Sequence, residues 1–210
     1  MKKVNLDLKF AHRLICPRVV YIITTISKNG VVNAGSFTNL TSVSSNPQRL
    51  VFSTVERNDT FKNIRQTREF VVNIPSVSLL EKVWICGDKY AKMPIPSHIS
   101  ELTVVNFTPI SSEKVKPPRI KECFGHLECK VVWIRNVGDH FLILGEVVAA
   151  SCNEGTFDRQ FIPRVEKTKP LLQISGPYFT SPSRKIEVKK EKVKSYLHKL
   201  RELIAENNKK

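Results

Sequence analysis

Two long β-type segments constrain the fold of this chain more than any other feature of its sequence. Residues 124–137 (FGHLECKVVWIRNV) and residues 140–151 (HFLILGEVVAAS) are rich in the β-branched and aromatic residues that strands favour. Only Gly138-Asp139 separates them, and such a pair favours a tight turn. The sequence therefore predicts a long antiparallel hairpin.

Further strands are predicted before this hairpin. Residues 19–27 (VVYIITTIS) run into Asn29-Gly30, a turn pair that returns the chain as a second strand from Val31. Residues 49–55 form a third strand after the Asn46-Pro47 turn. The other extended segments are predicted at residues 70–74, at residues 102–107 as a strand or extended edge, and at residues 116–120.

Short helices are predicted between the strands. Residues 58–67 have Asn58 or Asp59 at the N-cap position, and Phe61 and Ile64 define one apolar face. The other helical segments are predicted from Ser76 or Ser78 to Gly87 and over residues 185–206, whereas residues 88–99 and 153–170 are predicted as connections. This alternation indicates a mainly antiparallel barrel or sandwich with helical insertions.

Composition and cysteine usage exclude several classes of protein. No apolar run reaches the roughly 18 residues of a membrane span, and the N-terminus lacks a secretory signal, so a cytoplasmic protein without a membrane partner is expected. The five cysteines are an odd number without a CxxC pair, which favours reduced, partly buried thiols over disulfides or metal ligation. No metal site is therefore predicted.

The net charge of +15 is concentrated toward the C-terminus. From Arg184 onward the chain has ten Lys or Arg and four Glu, so residues 181–210 are predicted as a basic helix or tail after a domain of residues 1–180. The body has no arginine-rich arm and no interleaving of aromatic with basic residues. A solvated basic surface is therefore favoured over nucleic-acid binding, and a basic RNA- or DNA-binding barrel remains an alternative.

The chain contains none of the usual catalytic signatures. It has no phosphate-binding P-loop, no GxGxxG, no HExxH and no GxSxG motif. Among the five histidines, His126 reads as an ordinary sheet residue, and His140 follows the Gly138-Asp139 turn. His140 is the one candidate for a functional histidine, although a histidine at such a position is more often a turn residue.

A run of small polar residues suggests a binding site. Residues 31–47 (VVNAGSFTNLTSVSSNP) could expose backbone N–H groups to a flat polar ring, because little side-chain bulk intervenes. Ser53, Thr54 and Arg57 then precede a helix start at Asp59-Thr60, where hydroxyls, N–H groups and a guanidinium could hold a phosphate. This is the outline of a mononucleotide site, with ordinary strand and cap residues as the alternative.

The order of these pieces resembles the flavin reductase-like family of FMN-binding split β-barrels, which includes flavoredoxins and archaeal ferric reductases. The resemblance covers residues 14–150, through the stretches already quoted and through KPPRI at residues 116–120 and LECKV at residues 127–131, and extends weakly to residues 176–179. Two positions depart from the family pattern, since Ser36 stands where a proline is common and Pro47-Gln48 where a Pro-Pro pair is common.

The resemblance implies a mainly β fold, an antiparallel Greek-key split β-barrel with short helical insertions and a C-terminal helix. It also implies a homodimer in which each subunit binds FMN noncovalently, with NAD(P)H as electron donor and free flavin, a ferric complex or a redox protein as acceptor. A flavin or electron carrier without NAD(P)H activity is the alternative. His140 is expected on the nicotinamide side. The candidate cofactor-binding residues are Asn33, Ala34, Gly35, Ser36, Phe37, Thr38, Asn39, Thr41, Ser42, Ser53, Thr54, Arg57, Thr60 and Asn63.

Overall fold

The structure of this chain, a computed structural model, describes residues 3–87 and 95–186. It also describes Val188, Lys194, His198, Arg201 and Ile204. Most of the predicted terminal helix at residues 185–206, most of the tail from residue 181 and residues 88–94 of the predicted loop lie outside the described residues. Among the described residues, no helix is both long enough and apolar enough to cross a membrane.

Strands dominate the described part of the chain. The strands are β1 (Arg18–Val19), β2 (Tyr21–Ile26), β3 (Val32–Phe37), β4 (Thr41–Ser45), β5 (Gln48–Thr54), β6 (Glu69–Ile74), β7 (Pro109–Ile110), β8 (Arg119–Ile120), β9 (Gly125–Asn136), β10 (Phe141–Cys152), β11 (Leu172–Ser175) and β12 (Tyr178–Thr180). The helices are α1 (Asp59–Thr67), α2 (Leu80–Ile85), α3 (Glu101–Val104) and α4 (Val165–Thr168), with 3-10 turns at Leu8–Leu14 and Val77–Leu79.

Seven strands form one antiparallel sheet in the order β3-β2-β6-β9-β10-β5-β4. The long hairpin predicted from the sequence is confirmed as β9 and β10, and the predicted turn at Asn29-Gly30 connects β2 to β3. Gly30 has a φ of +82°, which glycine adopts at little steric cost. The two outer strands of the sheet, β3 and β4, are consecutive in sequence but are not paired with each other.

The sheet closes on itself through aromatic side chains. Phe37 on the edge strand β3 lies edge-on against Phe52 of β5, with ring centroids 5.3 Å apart, and Phe52 makes a similar contact with Phe70 of β6. Helix α1 adds Phe61 and Ile64 to the same buried cluster. The mainly β, split-barrel fold expected from the sequence is therefore confirmed, with α1 filling the barrel.

A second layer covers the outer face of β2 and β3. Ile22 and Ala34 point away from the barrel interior and are buried against Val83 of α2 and Leu102 of α3. Leu171, just before β11, completes this second cluster. Trp84 of α2 packs against Phe179 of β12, with ring centroids 5.8 Å apart.

The prediction of an extended segment at residues 102–107 is wrong. The chain forms helix α3 there, because Leu102 and Val105 are spaced to enter the same buried cluster from one helical face. The connection predicted at residues 153–170 contains helix α4, a single turn. His126 is buried in β9, and its Nε2 is hydrogen-bonded to the Ile120 carbonyl. It is an ordinary sheet residue, as predicted.

Replacing Gly145 with alanine should lower the free energy of unfolding by roughly 1–3 kcal/mol, the range for overpacking a filled core. A Cβ at Gly145 would lie 2.5 Å from Phe70 Cζ, and that ring is fully buried against Phe52. Chemical denaturation measures the change. Lys130→Ala, at an exposed position on neighbouring β9, is the control and should shift stability by less than about 0.5 kcal/mol. A G145A variant as stable as wild type would contradict this account.

Candidate functional site

The small residues at positions 33–37 belong to a strand rather than to an exposed loop. Asn33, Gly35 and Phe37 face the barrel interior, while Ala34 is fully buried on the opposite face. A Cβ on Gly35 would lie 2.8 Å from Thr60 Oγ1, so the small residue lets α1 approach β3 closely. Asn33 to Phe37 therefore form a strand with packing on both faces rather than an open loop. All but Ala34 are half-buried, and their contact with a ring stays a prediction.

The outward-pointing N–H groups of β3 are also occupied. The Ala34 N–H donates to Glu101 Oε2 at 2.9 Å, and the Ser36 N–H donates to the Cys86 carbonyl at 3.2 Å. Helices α2 and α3 thus satisfy the edge of β3. Neither N–H group is available to a cofactor in this arrangement.

Free backbone donors occur one step further along the chain. The N–H groups of Thr38, Asn39 and Leu40 have no hydrogen-bond partner within the described residues, and these three residues join the unpaired edges β3 and β4. The Asn39 side chain donates to both the carbonyl oxygen and the Oγ of Ser53, at 2.8 and 2.7 Å. The structure therefore brings two of the predicted segments together at Thr38–Asn39 and Ser53.

Residues of β4 predicted for the same site are exposed. Thr41 and Ser42 open the strand, and Ser42 Oγ accepts a hydrogen bond from Gln48 Nε2 at 2.9 Å. Both hydroxyls remain within reach of solvent on the edge of the sheet.

Two residues predicted to bind phosphate are instead buried supports. Thr60 Oγ1 donates to Asn33 Oδ1 at 2.8 Å, and Asn63 Nδ2 donates to Thr25 Oγ1 at 3.0 Å. The Thr60 proton is already used, so this hydroxyl has none to give to an anion. Thr54 is likewise buried and accepts from Asn58 Nδ2 at 3.1 Å. In this structure these side chains fix the start of α1, and their direct contact with a ligand stays a prediction.

Arg57 is the predicted site residue that the structure leaves most available. It is exposed in the turn between β5 and α1, and it makes no hydrogen bond or ion pair within the described part of the chain. The nine-residue helix α1 begins at Asp59, so its first N–H groups follow Arg57 closely along the chain. Asp59 itself is paired with Lys62 at 2.7 Å, which offsets its negative charge. The exposed guanidinium and the start of α1 together favour the binding of an anion.

The His140 corner lies next to this helix start. Phe141 is opposite Thr54 in the ladder, and its ring centroid is 4.5 Å from that of Phe61. His140 Nδ1 is 2.8 Å from Asp139 Oδ1, and because a carboxylate only accepts, Nδ1 is the donor. That hydrogen bond lowers the pKa of Asp139 and leaves His140 Nε2 as the free acceptor of the neutral ring.

Sequence reasoning missed Glu101, the buried carboxylate at the start of α3. It accepts hydrogen bonds from Asn33 Nδ2 at 2.8 Å and from the Ala34 N–H at 2.9 Å. Burial raises the pKa of Glu101 despite these hydrogen bonds. A signal was present, since Ser100 precedes Glu101 as an N-cap residue does and Leu102 and Val105 follow at helical spacing.

Comparisons with known proteins agree with the fold and the residue order. The sequence model of the family described as "Flavin reductase like domain" matches residues 12–180. An uncharacterized protein of Aquifex aeolicus is 33% identical over 171 residues, covering 79% of this chain and 85% of that protein. An uncharacterized protein of Pyrococcus abyssi is 32% identical over 148 residues, covering 70% of this chain and 81% of its own length.

Solved structures show the same architecture. Component B of nitrilotriacetate monooxygenase from Bacillus cereus superposes with a TM-score of 0.76 at 26% identity, over 90% of this chain and 98% of that one. Flavoredoxin from Methanosarcina acetivorans superposes with a TM-score of 0.78 at 23% identity, over 93% and 100% of the two chains. The second likeness, at that identity, shows the fold alone.

The charge on Glu101 should make stability depend on pH in a defined direction. Because its pKa in the folded protein is raised above 4.5, its contribution to stability is full below pH 4.5 and is lost as the pH rises through the raised pKa. Glu101→Gln should therefore remove the loss of stability that accompanies ionisation of Glu101. The measurement is the Tm of wild type and variant as a function of pH.

Glu122→Gln is the matched control for that measurement. Glu122 has a lowered pKa, because hydrogen bonds from Thr108 and the charge of Lys82 outweigh its partial burial. Its contribution to stability has the opposite sign, so E122Q should lose stability above pH 4.5 while keeping the Glu101 effect. An E101Q profile identical to that of wild type would contradict the assignment.

Proposed function

We propose that this chain, which belongs to the flavin reductase-like family, binds FMN noncovalently and transfers electrons from NAD(P)H through the flavin to a second acceptor. One observation supports the proposal above the others. Three unpaired backbone N–H groups at Thr38–Leu40 are tied by Asn39 to Ser53, on the strand that leads to Arg57. Donors for a polar ring and a cation for a phosphate thus lie on connected segments.

The residues available at this site fit the polar atoms of FMN. The backbone N–H groups of Thr38–Leu40 would donate to oxygen and nitrogen acceptors of the ring, since such groups need a partner when they are covered. Ser53 Oγ accepts from Asn39, so its own proton remains free to donate. These donors are held by a strand and by a side-chain hydrogen bond, which keeps them in position.

The phosphate is assigned to Arg57 and the start of α1. An exposed guanidinium beside a helix N-terminus offers charge-assisted hydrogen bonds and a favourable dipole. Thr54, Thr60 and Asn63 would act behind this surface by fixing the start of α1 through Asn58, Asn33 and Thr25.

Bound FMN supplies the hydride-accepting ring, so the protein needs no nucleophile or metal of its own. This accounts for the missing catalytic signatures. His140 is assigned to the nicotinamide side, where its free Nε2 would accept a hydrogen bond from the donor's carboxamide. Asp139 keeps the histidine in the tautomer that this contact requires.

A homodimer is part of the proposal. Alternation along β5 and β10 puts Phe52 and Ile143 inside the barrel, and places Val51, Leu142 and Leu144 on the outer face. Trp133 of β9 lies opposite Leu144 on that face. Leu144 is already buried within one chain, whereas Val51, Leu142 and Trp133 are half-buried, and a second copy would cover these three.

The first test of function is the visible spectrum of the purified protein during FMN titration, on a sample whose mass in solution is determined by sedimentation. Saturable flavin bands are expected, with a mass of two chains. Anaerobic NADH or NADPH should then bleach the bands. Bands that persist would favour an electron carrier without NAD(P)H activity. A protein that binds no flavin but binds nucleic acid in a salt-sensitive manner would contradict the proposal.

Arg57→Ala should raise the Kd for FMN by about 10- to 100-fold, the value of losing one or two charge-assisted hydrogen bonds. The Kd for riboflavin, which lacks the phosphate, should change little. Quenching of flavin fluorescence measures both constants. Arg159→Ala, at an exposed position in the loop before α4, is the matched control because it removes the same charge elsewhere. Equal losses in the two variants would show that only net charge attracts FMN.

A further inference from the structure

Glu101 connects three elements through one short hydrogen-bonded chain. Its carboxylate lies on α3 and accepts from the Asn33 side chain and the Ala34 backbone of β3. The other end of the Asn33 amide, Oδ1, accepts from Thr60 Oγ1 of α1 at 2.8 Å. A single acidic side chain therefore links α3 to the contact between β3 and α1.

Both carboxylate oxygens of Glu101 face donors. Oε1 faces an amide N–H₂ and Oε2 faces a backbone N–H, so the ionised form accepts both hydrogen bonds as charge-assisted ones. Protonation would turn one of these oxygens into a hydroxyl, which is a poorer acceptor, and would weaken that contact. The same reasoning applies to a glutamine, whose N–H₂ group would face one of the two donors.

The elements joined by Glu101 are the ones that carry the two halves of the proposed flavin site. Strand β3 runs directly into Thr38–Leu40, whose N–H groups are assigned to the ring. Helix α1 starts two residues after Arg57, which is assigned to the phosphate. The distance between the two halves depends on the contact of β3 with α1, where Gly35 and Thr60 touch closely.

We propose that Glu101 is a positioning residue for flavin binding, which in its ionised form holds β3 against α1 and on protonation weakens the affinity for FMN. The inference rests on the proposed function, because it concerns the same site. Glu101 does not touch the proposed cofactor position and acts through Asn33.

Burial and the charged groups around Glu101 set its pKa. Burial raises its pKa most, and the negative charge of Asp59 on α1 adds to the effect. Cys86, after α2, is buried nearby, and Glu101 contributes to the raised pKa of that thiol, about 12. A cavity of about 450 Å³ beside Glu101 is also lined by Lys28, Lys62 and His98, of which Lys62 is paired with Asp59. Glu101 thus titrates above the range of an exposed carboxyl group.

The test is the Kd for FMN between about pH 5 and about pH 8.5 in wild type, E101Q and E122Q, measured by flavin fluorescence. The FMN phosphate itself titrates near pH 6, but it does so equally in all three proteins. The ratio of the Kd of a variant to that of wild type therefore isolates the protein group. Glu122 is the matched control because its carboxylate also accepts a backbone N–H, from Thr108, away from β3 and α1.

The E101Q ratio should be roughly three to ten at high pH, the value of one lost hydrogen bond, and should fall toward one as the wild-type carboxylate protonates. The E122Q ratio should stay near one throughout. A ratio for E101Q that is one at every pH, or raised equally at every pH, overturns the inference. If E101Q does not fold, Thr60→Val cuts the same chain at α1, and unchanged FMN affinity in T60V overturns it.

Failure of the proposed function gives a different result. In that case wild type, E122Q and E101Q all fail to bind FMN at any pH, and the inference is overturned with it. Binding by wild type with no effect of the Glu101 substitution overturns the inference alone.

Discussion

The closure of the sheet by side chains, rather than by backbone hydrogen bonds, is the constraint on which this structure depends. Phe37 reaches across the barrel to Phe52, while β3 and β4 leave their mutual edge unpaired. No ladder crosses that gap, and the N–H groups of Thr38–Leu40 have no partner within the described residues. Because the gap is closed by rings, backbone donors stay free at the point where the chain crosses from one edge to the other. The proposed cofactor site is a consequence of this incomplete closure.

Further back along β3, the N–H groups that point away from β2 are hydrogen-bonded to other parts of the protein. The Ala34 N–H donates to the Glu101 carboxylate of α3, and the Ser36 N–H donates to the carbonyl of Cys86, at the end of α2. The carboxylate costs free energy of folding, because burying its charge raises its pKa and lowers stability at neutral pH. It accepts two donors and orients Asn33, which an apolar residue could not do. The geometry of the site and the stability of the fold therefore make opposite demands at Glu101.

Much of the fold could be predicted from local sequence patterns. The β9–β10 hairpin, the Asn29-Gly30 turn and helix α1 after Asn58 all follow from short-range patterns, and all are present, although the Asn58 side chain makes no capping hydrogen bond. Residues 102–107 were not predicted correctly, because four residues of α3 carry too little periodicity to be distinguished from an extended edge. The small sheet of β1, β11 and β12 joins segments some 150 residues apart, which no local pattern reveals.

The sequence by itself determined the family, the mainly β class and the region of the site, because strand propensity, turn pairs and motif order are written along the chain. Only the tertiary structure decided which residues of that region are exposed. Thr60 and Asn63 carry the right functional groups, yet both side chains are hydrogen-bonded inside the barrel, whereas Arg57 makes no hydrogen bond or ion pair within the described residues. Glu101, on a helix far away in the sequence, contacts this region through Asn33. A hydrogen-bonding group can serve a ligand only if no protein partner has taken it, and that depends on packing between segments far apart in sequence.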